Sequence, residues 1–270
     1  MVKLIDKFIK LAQKEQILVY LKHKFSGHKQ RLIPLVRDPK SATVGLSAHR
    51  INSLINEFLE NPVSYLEIGL SLGKTFQSIN MPTRVGVDPQ PGFNTNILPS
   101  GVTIHKMSSN EFFARNEISF DFIFIDGSHK FEDVLQDIFS AAKCLREQGL
   151  ILIDDTVPND EFSALPEMGA CFRERREKTG SLNPSWTGDG FKAICLLKTV
   201  YPEIKLMTLM PAFQTLVFWD DQLSGLEKRI DASLVQKFSE LDFKEVFSNK
   251  GYFLKIFEPT WEWQLGITQR

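Results

Sequence analysis

From residue 63 onward the chain is punctuated by short apolar runs, at 63–68, 84–88, 102–106, 120–126 and 149–154, with helical spacing between several of them. These runs show little apolar–polar alternation. They therefore predict strands buried on both faces, as in a parallel sheet covered by helices, and an α/β fold class. The segment 130–147 supplies one cover. Phe131, Val134, Leu135, Ile138, Ala141, Ala142 and Leu145 share a face, and Gly149 is expected at its C-cap. Lys205–Met210 and Gln214–Trp219 flank Pro211-Ala212-Phe213 and predict an antiparallel hairpin.

The first run, Val63-Ser64-Tyr65-Leu66-Glu67-Ile68, leads into Gly69-Leu70-Ser71-Leu72-Gly73 and a helix from Lys74 to about Asn80. Two glycines let backbone N–H groups approach a ligand with no Cβ in the way. The helix start beyond them offers unpaired donors and the positive end of a dipole. Glu67 is the odd member, a carboxylate expected at the exposed C-terminal end of an apolar strand. In an open α/β sheet, ligands bind outside those strand ends, and a carboxylate there suits amino or hydroxyl donors better than a pyrophosphate. The spacing E-x-G-x-x-x-G is unspecific by itself and gains force only from partner residues further along the chain.

Other strand ends carry acids too. Val85-Gly86-Val87-Asp88-Pro89 puts a carboxylate where it can accept from a ribose diol, although Asp before Pro is also a common turn residue. After the third run, Lys106-Met107-Ser108-Ser109-Asn110 offers a flat apolar side chain and small polar groups suited to an adenine. The fourth run ends Asp126-Gly127-Ser128-His129 and the fifth ends Asp154-Asp155-Thr156. Carboxylates gathered at one edge raise one another's pKa unless a cation lies between them, and all-oxygen ligation suits Mg²⁺, with Ca²⁺ or Mn²⁺ also fitting. The competing reading of Asp154-Asp155 is a cap for the next segment.

Taken together, Glu67-Ile-Gly69-x-x-x-Gly73, Asp88, Phe-Ile-Asp126-Gly and Asp154-Asp155 resemble the motifs of class I S-adenosylmethionine-dependent methyltransferases. The closer likeness is to the metal-dependent O-methyltransferases of the catechol and the macrocin or novobiocin sugar types, over about residues 60–220. That resemblance implies a Rossmann-like, doubly wound, mostly parallel seven-stranded sheet. It implies that Glu67, Gly69 and Gly73 hold the methionine part of S-adenosylmethionine, that Asp88 binds its ribose, and that Ser108 and Ser109 lie near its adenine. Asp126, also counted among the cofactor-binding residues, would join Asp154 and Asp155 in holding a divalent metal, Mg²⁺ first. Two features depart from the pattern. Catechol-type members carry a lysine three residues after the first metal aspartate, where this chain has His129 followed by Lys130. The adenine-contacting acid of the wider class is missing from Ser108-Ser109-Asn110.

The activity implied is methyl transfer to a hydroxyl of a small-molecule acceptor, with Asp126, His129 and Lys130 as the catalytic candidates. A neutral imidazole suits proton removal near pH 7, whereas a lysine would first need its pKa lowered; His129 also reads as a helix-start residue bonded to backbone. Acceptor choice is assigned to the N-terminal helices and to the loop Ser181–Phe191, where Trp186 and Phe191 would either wall the acceptor or anchor the loop. The alternatives are a non-catalytic module keeping the S-adenosylmethionine fold, and a metal-independent methyltransferase acting on a larger acceptor. A nicotinamide oxidoreductase is disfavoured because G-x-G-x-x-G is absent.

Composition bounds the rest. With 270 residues, 43% of them hydrophobic, and a net charge of −1, the chain can bury a large core and makes no bulk electrostatic case for nucleic acid. Charge is uneven, since residues 1–50 carry 11 Lys/Arg against 3 Asp/Glu. That reads either as a solvated helical face or as a basic arm for an acidic partner. Ile5, Phe8, Ile9 and Ala12 predict an amphipathic helix there, and residues 25–46 a connector. Ser47 is expected to N-cap a second helix with the stripe Ile51, Leu54, Ile55, Phe58 and Leu59. Three cysteines without metal-like spacing predict free thiols and, with no membrane-length apolar run, a cytoplasmic protein. The expected organisation is a helical cap at 1–60, the cofactor-binding domain at 61–220 and an extension at 221–270. The extension would carry a helix near 225–241 and edge strands including Tyr252–Phe257. Homo-oligomerisation stays open.

Overall fold

The computed structural model describes residues 46–210, 212–219 and 229–261. The expected helix at Ile5–Ala12, most of the connector, Pro211 and the first residues of the expected helix near 225–241 lie outside them.

The described chain begins in α1 (Leu46–Phe58). There follow β1 (Ser64–Ile68), the short α2 (Lys74–Gln77), β2 (Thr83–Val87), β3 (Val102–His105) and α3 (Ser109–Phe113). Next come β4 (Phe120–Ile125), α4 (Phe131–Lys143), β5 (Leu145–Ile153), α5 (Met168–Thr179) and α6 (Phe191–Val200). The hairpin β6 (Lys205–Met210) and β7 (Gln214–Phe218) precedes α7 (Ala232–Ser239), α8 (Phe243–Phe247), α9 (Lys250–Phe257) and β8 (Pro259–Trp261).

The strands form one eight-stranded sheet in the order β3-β2-β1-β4-β5-β7-β6-β8, one more strand than expected. The first five are parallel, β7 runs antiparallel to both β5 and β6, and β8 is parallel to β6. Strand order reverses between β1 and β4, and connections leaving such a pair on opposite sides open a crevice at the strands' C-terminal ends.

Residue parity along the strands decides what that crevice contains. Tyr65, Phe122, Phe124, Leu150, Leu152 and Leu216 pack with Ala48, Ile51, Leu54, Ile55 and Phe58 of α1. Leu66, Ile68, Ile123, Ile125, Ile151 and Ile153 face the other way, against Phe131, Val134, Leu135 and Ile138 of α4 and against α6 and α9. Side chains alternate along a strand, so Glu67, Asp126, Asp154 and Gln214 continue the rows on the α1 side.

Several elements differ from expectation. Helix α4 ends at Lys143, and Gly149 lies inside β5, whose pairing with β4 shifts register between Phe120 and Phe122. The irregularity is taken up at Gln148, with φ 62°, and at Gly149, where a Cβ would crowd the Leu145 side chain at 2.8 Å. Tyr252–Phe257 is part of a helix rather than a strand. Asn249 accepts from Tyr252 N at its start, and Phe253 stacks on Phe257 one turn on, their centroids 5.2 Å apart. Ser47 lies inside α1, not at its cap. Helix α5 contains the charged run Arg173-Glu174-Arg175-Arg176-Glu177-Lys178, which shows no hydrophobic periodicity. It buries Cys171 and Arg175, and Arg175 is held by Asp160 at 2.9 Å and by the Asn183 carbonyl at 2.7 Å. All three cysteines are free and buried, and among the described residues no helix is long and apolar enough to cross a membrane.

Candidate functional site

The turn after β1 is shaped by close approach. Gly69 has φ +86° and donates its N–H to the Val87 carbonyl, and a Cβ there would lie 1.9 Å from the Asp126 carbonyl oxygen. Only glycine lets the ends of β1 and β4 meet this closely. Gly73, φ +70°, is covered by the Phe93 ring, which a Cβ would meet at 2.6 Å. Asp88 fixes the bend: Oδ2 accepts from Leu70 N (2.8 Å) and Ser71 N (3.0 Å), and Oδ1 from Gln90 N (2.7 Å). Asp88 therefore stands beside the turn, with a hydrogen bond already on each oxygen.

Glu67 is not exposed. It is 1% accessible and accepts from the Tyr65 hydroxyl at 2.5 Å, the two side chains being neighbours on one face of β1. Burial pushes its carboxyl up to about 8, against the opposing effect of the Tyr65 hydrogen bond. Asp126 is raised well above the carboxylate range, first by burial and then by the charges of Asp154, Asp155 and Glu67. Burial and Asp154 push Asp155 up to about 7. Asp126 and Asp155 keep about a third of their side-chain surface open, at 34% and 33%, so solvent tempers these effects more than at Glu67. Asp154, also raised by burial, is opposed by hydrogen bonds from Gln214 and from the Asp155 N–H. Glu67, Asp126, Asp154 and Asp155 thus share one electrostatic neighbourhood at the crevice.

His129 lies in their midst. Its Nε2 is 3.5 Å from Asp126 Oδ1 and its Nδ1 is 3.7 Å from Asp155 Oδ2, too long for hydrogen bonds. Burial lowers its pKa, partly offset by Asp154, which favours the neutral ring. Its left-handed backbone, φ 59°, is clasped by the 186–190 loop. Gly190 N donates to the His129 carbonyl at 3.0 Å, and a Cβ on Gly188 would strike that oxygen at 2.2 Å. The Trp186 ring stands edge-on to the imidazole at 5.4 Å, while its indole N–H donates to the Leu165 carbonyl. Asp189, from the same loop, caps α4 by accepting from Phe131 N at 2.9 Å and pairs with Lys192. Phe191 is wholly buried against Phe247, so it belongs to the core and not to a wall of the site.

The other expected residues are placed less centrally. Lys130 reaches away to Glu167 at 2.6 Å, a partner that raises its pKa. Ser108 caps α3 in a reciprocal pair with Glu111, and Ser109 hydrogen-bonds to Asp137, a carboxyl that burial pushes up to about 6. Among the described residues no three His, Cys, Asp or Glu side chains converge closely enough to enclose an ion. Sequence reasoning missed Tyr65, and it missed Arg50 and Gln214, of which Arg50 donates to Gln214 Oε1 at 3.0 Å and Gln214 to Asp154 Oδ1 at 2.8 Å. All three lie on the α1 face, where strand parity would have put Tyr65 beside Glu67.

No curated protein sequence matches the chain. Residues 66–156 match a family model described as a methyltransferase domain. The matched stretch runs from β1 to just past β5 and includes Glu67, both turn glycines, Asp88 and the three aspartates, but neither the Trp186 loop nor Gln214. Solved structures similar to the chain include three methyltransferases. One is the SAM-bound amino pentose methyltransferase CalS10 from Micromonospora echinaspora, with 16% identity, 40% of this chain and 48% of that one covered, and TM-score 0.35. Another is the MycE methyltransferase of the mycinamycin pathway, in complex with Mg, SAH and mycinamycin VI, with 16% identity, 62% and 47% covered, and TM-score 0.42. The third is an O-methyltransferase from Bacillus cereus in complex with SAH, with 15% identity, 66% and 84% covered, and TM-score 0.40. The chain spans about half the length of the first two.

Proposed function

We propose that this chain is an S-adenosylmethionine-dependent methyltransferase acting on a hydroxyl of a small molecule, assisted by a divalent metal. The observation that carries the reading is the gathering of Glu67, Asp126, Asp154 and Asp155 at the β1–β4 crevice, beside a turn that tolerates no Cβ at Gly69. S-adenosylmethionine would supply a methyl group already activated by its sulfonium. A buried acidic wall suits that cationic donor with its ammonium group, and Gly69–Gly73 would cradle the methionine part. Asp88 keeps one lone-pair site, on Oδ1, for a ribose hydroxyl beyond the three backbone bonds it accepts. Ser108 and Ser109 stand at the end of β3 for the adenine side.

Asp126, Asp154 and Asp155 carry the oxygen donors that suit a divalent ion, although their side chains do not converge on one point in this structure. Asp126, Asp154 and Asp155 would hold it, and it would supply Lewis acidity toward the acceptor hydroxyl. His129, neutral through burial, accepts the hydroxyl proton at a ring nitrogen, held in place by Gly190 and by the edge of Trp186. Lys130 is engaged with Glu167, which supports His129 over it as the base.

A second reading, metal-independent transfer, is favoured by one observation: the His129 imidazole lies between Asp126 and Asp155. Incubation with S-adenosylmethionine and a panel of hydroxylated small molecules, read as S-adenosylhomocysteine produced, tests the activity. Chelation separates the two readings, since turnover abolished by EDTA and restored by Mg²⁺ supports the first and turnover indifferent to EDTA the second. Loss of turnover in Asp154→Asn with cofactor binding retained supports the metal role, and unchanged turnover removes it.

A further inference from the structure

One buried ion pair plays no part in that reading. Asp189 is 6% exposed and Lys192 9%, and Lys192 Nζ stands 3.0 Å from Asp189 Oδ2. The same ammonium donates to the carbonyl of Ser239, the last residue of α7, at 2.6 Å. Two charges taken out of water need good geometry and further hydrogen bonds to offset their desolvation. The Ser239 carbonyl serves Lys192, and a helix start serves Asp189, whose Oδ1 accepts from Phe131 N, the first residue of α4, 58 residues away in sequence. Helix starts need such acceptors for their unpaired N–H groups. Lys130 occupies the cap position of α4, but its side chain makes no capping hydrogen bond and reaches Glu167 instead. The cap comes from the 186–190 loop.

We infer that Asp189, steadied by Lys192, is the positioning residue for His129. The left-handed backbone of His129, φ 59°, is unfavourable for any residue with a Cβ and persists only where its surroundings impose it. Two adjacent loop residues impose it. Gly190 N donates to the His129 carbonyl at 3.0 Å, and Asp189 fixes Phe131 N two residues further along the chain. The loop is itself anchored from behind. Trp186 Nε1 donates to the Leu165 carbonyl at 2.7 Å, and Thr187 donates from N (3.0 Å) and Oγ1 (2.9 Å) to the Ser163 carbonyl. The strained residue is thus held against a fixed support, and without the Asp189 oxygen it is free to relax. A carboxylate suits this place because one oxygen takes the ammonium and the other the amide N–H, both of them donors. This role rests on His129 being the proton acceptor proposed above.

Two double variants isolate that oxygen. Asp189→Leu/Lys192→Met and Asp189→Asn/Lys192→Met both remove the buried charges, and only the asparagine keeps an acceptor for Phe131 N. Carbethoxylation by diethylpyrocarbonate, read site by site by peptide mass spectrometry, reports how firmly His129 is held, with His49 and His105 as internal references. His129 should react about 5–30-fold faster in the leucine variant, the factor by which a released left-handed residue relaxes. In the asparagine variant it should stay near the wild-type rate, with His49 and His105 unchanged in both. Equal His129 rates in the two variants, or a rise shared by all three histidines, would overturn the role. In wild type the Phe131 amide should be protected from hydrogen exchange, and exchange as fast as that of an exposed amide would overturn the cap without any variant. On a hydroxyl acceptor that wild type methylates, the leucine variant should lose about 100-fold in kcat with S-adenosylhomocysteine affinity retained. Unchanged kcat alongside faster carbethoxylation would overturn the link to the chemistry. Wild type that methylates no acceptor would overturn the proposed function, while the carbethoxylation and exchange results would still decide whether Asp189 holds His129.

Discussion

Replacing Gly69 by alanine is the sharpest single perturbation of this architecture. Two costs can be separated. A left-handed backbone costs an L-residue with a Cβ about 1–2 kcal/mol. At Gly69 the new Cβ would also lie 1.9 Å from the Asp126 carbonyl oxygen and 2.6 Å from its carbon, atoms of β4 backbone that have no rotamer to escape into. Forcing apart packed elements costs a further ~1–3 kcal/mol. Gly180 provides the control, with φ +69° and nothing within 4 Å of its would-be Cβ, so Gly180→Ala carries the backbone cost alone. For a chain of this size 1 kcal/mol moves the melting temperature by roughly 2–4 °C. Gly69→Ala should therefore melt several degrees below Gly180→Ala by differential scanning calorimetry. It should also lose S-adenosylhomocysteine affinity, because the displaced backbone carries Asp126. Equal melting temperatures for the two variants would refute the claim that β1 and β4 meet at Gly69.

The same geometry sets further outcomes. The folded pKa of Glu67 is raised, so between about pH 4.5 and 8 the folded chain holds a proton that the unfolded chain releases, and this group's contribution to stability falls as pH rises through that window. Glu67→Gln should flatten the fall and raise the melting temperature at pH 8.5 relative to wild type, and an unchanged pH profile would show that Glu67 is not buried as described. His129→Ala should lower turnover by about 10²–10⁴-fold, the usual worth of a positioned acid–base group, whereas Lys130→Met should leave it within about threefold; the reverse ranking would move the base to Lys130. Trp186→Ala should reduce kcat while preserving S-adenosylhomocysteine affinity, since Trp186 packs edge-on against the His129 ring and is anchored to the Leu165 carbonyl.

The strands that carry the acids were legible because each is an apolar run closing on a polar residue, and parallel strands buried on both faces leave that mark. The C-terminal aromatic stretch was not. Tyr252–Phe257 satisfies both a period of two and a period near four, and what decides it is the Asn249 cap and the stacking of Phe253 on Phe257. Helix α5 is invisible to hydrophobic periodicity because its fully buried anchor is an arginine, held by Asp160 and a loop carbonyl. In the site, Glu67, Asp126, His129, Asp154 and Asp155 were nameable from their strand-end positions. The burial of Glu67 under Tyr65 and the Arg50–Gln214 link were not, since the latter joins residues 164 apart that only the sheet order brings together. Lys130 was nameable too, but its pairing with Glu167 was not, because nothing local announces that partner.

The most direct measurement is calorimetric titration of the untreated chain with S-adenosylmethionine. Saturable binding at one site per chain, abolished by Gly69→Ala and retained in Gly180→Ala, is the predicted result. An absence of binding heat at any concentration up to solubility would contradict the assignment of the β1–β4 crevice to an adenosyl donor.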